Sequence, residues 1–221
     1  MKGLIRLVTL VVLGCGVALA APARDKFAVV TEGATSCKFE AYAIDPDPRG
    51  TNIRAAPRAN ATVLGWMAPR RYMARTYSIG SLFDVVGSKN GWLLIKNARE
   101  DAPFDQSQTY AFAGPGWIWG GFAGFAIGDE RLFAAPSANA RVKLWLMDEG
   151  RNHHWTGMDF DITAIHACHG EFAEVSVRPR YDKRARTQRG WMFNFCTLQL
   201  TPCDYPYPSG VDRPTHYKFP G

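Results

Sequence analysis

The chain has 221 residues, with 26 Lys and Arg against 20 Asp and Glu, for a formal net charge of +6. Two of the cations, Lys2 and Arg6, belong to an apolar leader, and without them +6 becomes +4. So mild an excess does not suit a nucleic-acid binder, and no run after residue 20 is long and apolar enough for a membrane helix.

Residues 1–20 have the order of a secretory signal peptide: basic Lys2 and Arg6, an uncharged run over 7–19, and the small-residue end Ala18-Leu19-Ala20. An uncleaved membrane anchor is the alternative, against which the shortness of the run argues. Lipidation at Cys15 is a third reading, but Leu13 fits a lipobox poorly. Cleavage leaves about 200 residues destined for the periplasm or the exterior, with Cys37, Cys168, Cys196 and Cys203. An even cysteine count in an oxidising compartment predicts two disulfides. Four cysteines allow three pairings, among which sequence does not choose. The preferred set is Cys168 with Cys196, near strands of one repeat, which leaves Cys37 with Cys203 to tie start to end.

The remaining chain reads as β throughout. Runs rich in Val, Ile, Phe, Trp and Tyr over 63–67, 82–86, 92–96 and 117–119 are broken by Gly, Pro, Asn and Asp. A second series covers 142–147, 160–166, 172–177 and 191–195. Asn90-Gly91 is a two-residue hairpin signal, because both positions tolerate positive φ. The two series are copies. Residues 55–66 (AAPRANATVLGW) and 134–145 (AAPSANARVKLW) share eight of twelve positions without a gap, at an offset of 79. Downstream, 82–85 aligns with 159–162, Asn90-Gly91-Trp92 with 169–172, and Gly116-Trp117-Ile118 with Gly190-Trp191-Met192. The expected fold class is all-β, two tandem small SH3-like barrels joined by a short linker, since so few short strands bury both faces by rolling up. The first unit spans 21–124, the second 125–204, and a Pro- and Tyr-rich tail of no assigned role covers 205–221.

These stations resemble the bacterial Src-homology-3 family (SH3b). The first unit carries Asn52-Ile53-Arg54, Pro57, Val63-Leu64-Gly65, Gly91-Trp92 and Gly116-Trp117-Ile118. The second keeps Pro136, Val142, Gly170, Phe172 and Gly190-Trp191-Met192, but has Arg131-Leu132-Phe133 at its opening. The resemblance implies recognition outside the cytoplasm, of cell-wall peptidoglycan or of another envelope protein. Arg54 either bonds carbonyls of the following loop or stays solvated. Trp92, Trp117 and Trp191 read first as core packing.

Catalytic patterns are missing: the chain has neither a phosphate-cradling glycine loop nor a Gly-x-Ser-x-Gly elbow. His166-Ala167-Cys168-His169 lacks the spacing of a haem or zinc site, so no metal or cofactor is expected. Asp45, Asp47, Glu100 and Asp101 read as solvated loop charge, and the two units leave no room for a separate catalytic domain. Binding is expected at two places. Tyr72, Tyr77, Trp117, Trp119 and Phe122 form a candidate aromatic groove, with Gly120-Gly121 leaving the rings accessible. Residues 178–189 form a candidate anion-attracting loop bearing Arg180, Arg184 and Arg186, opposite in charge to an acidic insertion over 98–115. The expected function is a non-catalytic envelope binding protein. The alternative is a periplasmic inhibitor or immunity-type protein that blocks an enzyme through a protruding loop.

Overall fold

A computed structural model of the chain describes residues 28–72, 78–100, 110–129, 131–146, 160–179, 184–199 and 203. The expected signal peptide with Cys15, Tyr77, Asp101, Arg180 and the tail 205–221 lie outside these residues.

The described chain is all-β. The first repeat contains β1 (Thr35–Ala43), β2 (Thr51–Arg54), β3 (Val63–Met67), β4 (Arg71–Tyr72), β5 (Ser78–Ile79), β6 (Leu82–Lys89), β7 (Trp92–Arg99), β8 (Tyr110–Phe112) and β9 (Gly116–Trp119). A 3-10 turn over Gly120–Phe122 leads into β10 (Ala123–Gly124) and β11 (Ala126–Ile127). The second contains β12 (Arg131–Phe133), β13 (Val142–Trp145), β14 (Phe160–His169), β15 (Phe172–Pro179), β16 (Gln188–Met192) and β17 (Phe195–Cys196).

Period-2 burial accounts for most of these strands. In β15, Ala173, Val175, Val177 and Pro179 face inward while Phe172, Glu174, Ser176 and Arg178 alternate outward. The β6–β7 hairpin closes on Asn90 and Gly91 with φ of 51° and 80°, the left-handed pair that a tight hairpin requires.

Strand order makes the duplication physical. The first sheet runs β10-β1-β6-β7-β9-β2-β3, with β8 also on β7, and the second runs β13-β12-β16-β15-β14. Read from the other end, β14-β15-β16-β12-β13 repeats β6-β7-β9-β2-β3 strand for strand. The registers agree as well: Arg54 pairs with Trp117 and Phe133 with Trp191. A bulge falls between Ile53 and Arg54 and again between Leu132 and Phe133. Two further bulges recur, at Leu82/Asp84 and Val85/Gly87, then at Ile162/Ala164 and Ile165/Ala167. These bulges correct one sequence alignment. Leu82 corresponds to Ile162, not to Asp159, because the ladder and not the Phe-Asp dipeptide sets the register. Among the described residues no ladder closes either path.

The repeats share their interior. One cluster of buried residues runs from Ala41, Phe83 and Ile95 through Phe125 and Ile127 to Leu132, Ile165 and Val175. The short junction between the repeats is therefore buried, with Phe125 and Ile127 in the shared cluster. Phe125 stacks on Phe195 at 3.9 Å, and Phe39 meets Phe195 edge-on at 4.9 Å. The chain after β17 then crosses back: Gln199 accepts from the Gly80 amide at 2.8 Å and donates to its carbonyl at 2.9 Å.

The disulfides correct the expected pairing. Cys37 is bonded to Cys168 and Cys196 to Cys203. Cys37 meets Cys168 because β1 lies beside the β14–β15 turn, where Lys38 donates to the Gly170 carbonyl at 2.8 Å and Gly170 to Ser36 at 2.9 Å. The first bridge thus joins the repeats, with Cα atoms 5.6 Å apart and a sequence separation of 131. The second closes a separation of only 7. Loop entropy alone assigns the first about 5 kcal/mol and the second about 2.5 kcal/mol. Urea unfolding of Cys37→Ser/Cys168→Ser and of Cys196→Ser/Cys203→Ser is expected to show the larger loss in the first pair.

Candidate functional site

A cleft of the first repeat brings several of the candidate residues together. It holds about 510 Å³ between the β1–β2 loop, β2, and the paired ends of β7 and β9. Trp92 and Trp119 form one wall, facing each other in the β7–β9 ladder with ring centroids 5.7 Å apart at 69°. Asp45, Asp47, Asn52 and Arg54 form the other.

Local folding explains this wall. Asp45 is only 6% exposed; its carboxylate accepts from the Asp47 amide at 3.0 Å and from the Thr51 hydroxyl at 3.0 Å, fixing the turn into β2. Asp47 accepts from Arg49 at 2.9 and 3.1 Å, and these bonds hold its carboxyl below the usual carboxylate range. Arg54, at the far end of β2, donates to the Ala61 carbonyl at 2.9 Å, the first of its two expected roles.

The opposite wall depends on close approaches. A Cβ on Gly91 would sit 2.9 Å from the Trp119 ring, at a φ of 80°. A Cβ on Gly120 would lie 1.9 Å from the Ile165 carbonyl oxygen. Only glycine lets β14 of the second repeat press against the turn that carries Trp119.

The second repeat has no counterpart cleft among the described residues, and the register shows why. Trp92 corresponds to Phe172, Trp119 to Phe193, Asn52 to Arg131 and Arg54 to Phe133. Phe193 packs on Phe172 at 4.8 Å and on Phe133 at 5.6 Å, filling the space with rings. Arg131 turns back to Asp129, donating at 2.8 Å, and lies 5.1 Å above the Phe133 ring.

The residues singled out from sequence are thereby sorted. Trp119 is 42% exposed and lines the cleft with Phe122. Trp117 takes the core reading and not the groove one: it is fully buried and donates its indole N–H to the Val30 carbonyl at 2.8 Å. Trp92 and Trp191 are half-buried. Tyr72 is 73% exposed on β4 but does not line the cleft, and Tyr77 lies outside the described residues. Arg184 and Arg186 are exposed ahead of β16, and Arg180 lies outside the described residues. Arg178 and Arg189 belong to β15 and β16 rather than to a loop, and Arg189 grips Glu174 at 2.8 and 3.0 Å. Asp45, Asp47 and Asn52 are the wall residues that sequence reasoning passed over. The Asn52-Ile53-Arg54 opening was the signal, since alternation puts Asn52 and Arg54 on one face around a buried Ile53.

His166 sits within hydrogen-bonding distance of the Ser176 hydroxyl, at 2.7 Å, and its neighbour Cys168 is held in a disulfide. Burial pushes the His166 pKa down from 6.5; Arg189 lowers it further and Glu174 opposes. The folded state therefore resists a proton that the unfolded chain accepts, so its contribution to stability is complete above pH 6.5 and is lost as pH falls below it. His166→Gln is expected to flatten this part of the decline, read from denaturation midpoints at pH 7.5 and pH 5.

No protein-family model, no curated protein and no solved structure matches the chain.

Proposed function

We propose that this is a non-catalytic binding protein of the bacterial envelope, that its two repeats are divergent SH3-like barrels, and that cell-wall peptidoglycan occupies the cleft of the first. The observation carrying this reading is the contrast between repeats: one framework keeps an open cleft in the first copy and fills it with Phe133, Phe172 and Phe193 in the second. The curling of the first sheet supports the barrel reading, because Phe112 of β8 lies over Gly65 of β3, where an added Cβ would come within 2.6 Å. Two disulfides suit an oxidising compartment, and no described helix is long and apolar enough to cross a membrane.

The aromatic wall suits this ligand class. Apolar C–H faces of sugar rings or peptide side chains stack on an indole, while Asn52 and the flanking charges supply polar contacts. The second repeat acts as a buttress, holding the Gly120 turn through β14 and presenting exposed Arg184 and Arg186 as an accessory surface toward anionic parts of the wall.

Co-sedimentation of the protein with purified sacculi tests the proposal. Trp119→Ala is expected to weaken sedimentation at least tenfold while moving the melting temperature little, because that ring is partly exposed. Trp117→Ala, by contrast, should cost about 3–5 kcal/mol of stability. Wild-type protein that ignores sacculi, or a Trp119→Ala variant that sediments like wild type, would contradict the assignment.

A further inference from the structure

Resting on the cleft as the binding site, we propose that its ligand is zwitterionic, with an ammonium group and a carboxylate separated by the length of an extended tripeptide. Two charges of opposite sign border the cleft without a charged partner among the described residues. Asp45 is buried, and both its hydrogen-bond donors, the Asp47 amide and the Thr51 hydroxyl, are neutral. Arg54 is half-buried, and one of its N–H groups bonds the neutral Ala61 carbonyl. An uncompensated charge out of water is costly, so each end of the cleft gains from a countercharge brought by a ligand.

Position sets the spacing. Asp45 is bonded to Thr51 at the first residue of β2, and Arg54 is the last residue of that strand. Three residues of strand span about 10 Å, and so does a tripeptide in extended form. Trp92 and Trp119 line the same cleft as both charges and offer the ligand an apolar surface. Asp47 is already paired with the Arg49 cation, whereas Asp45 accepts only from neutral donors, so Asp45 is the countercharge for the ammonium.

The second repeat differs at one end of the site. Its Asp129–Arg131 pair repeats Asp47–Arg49 of the first, with the same two-residue spacing, while the position of Arg54 holds Phe133. The Arg54 cation is thus present in the copy whose cleft is open and replaced by a ring in the copy whose cleft is filled.

The test is an NMR titration of the purified protein with trialanine, N-acetyl-trialanine and trialanine amide, following the indole N–H signals of Trp92 and Trp119. Trialanine is expected to shift both signals, and blocking either end to weaken binding about fivefold, the upper range for one exposed charge pair. Arg54→Met should erase the penalty of amidation, and Asp45→Asn, whose Oδ1 still accepts from the Asp47 amide while its Nδ2 donates to the Thr51 hydroxyl, the penalty of acetylation. The wild-type series stands whether or not the variants fold. Equal affinity for the three peptides, or no shift with any of them, overturns the proposal. Sacculi that remain bound after acetylation of their amines also count against it, while leaving wall binding intact. Trialanine binding without sacculus binding supports it and removes only the wall as the source of the ligand.

Discussion

The structure depends on what covers β14. This ten-residue strand ends the order of the second sheet, and an uncovered edge of that length exposes a row of backbone donors and acceptors. The first repeat supplies the cover. The Cys168 amide donates to the Ser88 hydroxyl at 2.9 Å, the Ser88 and Thr35 hydroxyls lie 2.6 Å apart, and the Cys37–Cys168 bridge locks the contact. Neither repeat is complete alone, which is why the buried cluster runs unbroken through Phe125 and Ile127.

This cover also links the second repeat to the cleft it does not line. The Ile165 carbonyl abuts Gly120, and Gly120 donates to the Gly91 carbonyl at 2.9 Å, so the strand ends bearing Trp92 and Trp119 are held from behind. The two copies differ at this place. The first has polar and charged groups along β2 beside an open indole wall, and the second has rings at the matching positions, gaining packed area where the first has a cleft.

Much of the framework was legible beforehand. The duplication, the β character, the Asn90-Gly91 hairpin and most strand positions follow from local patterns: alternation, turn residues and a twelve-residue repeat. β1 was not legible, because Ala41 and Ala43 are its inward residues and alanine gives little hydrophobic contrast. Trp119 could be named as accessible from its glycine neighbours, whereas Trp117, two residues earlier on the same strand face, is fully buried. Period 2 tells which side chains share a face but not how deeply each lies, since the chain around Val30 that covers Trp117 is 87 residues away. The cleft's polar wall was missed for a similar reason: a carboxylate in a Pro-containing loop looks solvated until its turn is folded against β2.

By itself, the sequence determined an all-β chain made of two copies of one unit, each with its turns in place, because these features rest on interactions between residues close along the chain. Tertiary structure decided which cysteines meet, which edge is covered, and which copy retains a cleft. Those outcomes depend on contacts across separations such as the 131 residues between Cys37 and Cys168. No local preference reports on such contacts, because their energy exists only when two distant surfaces are brought together and water leaves both.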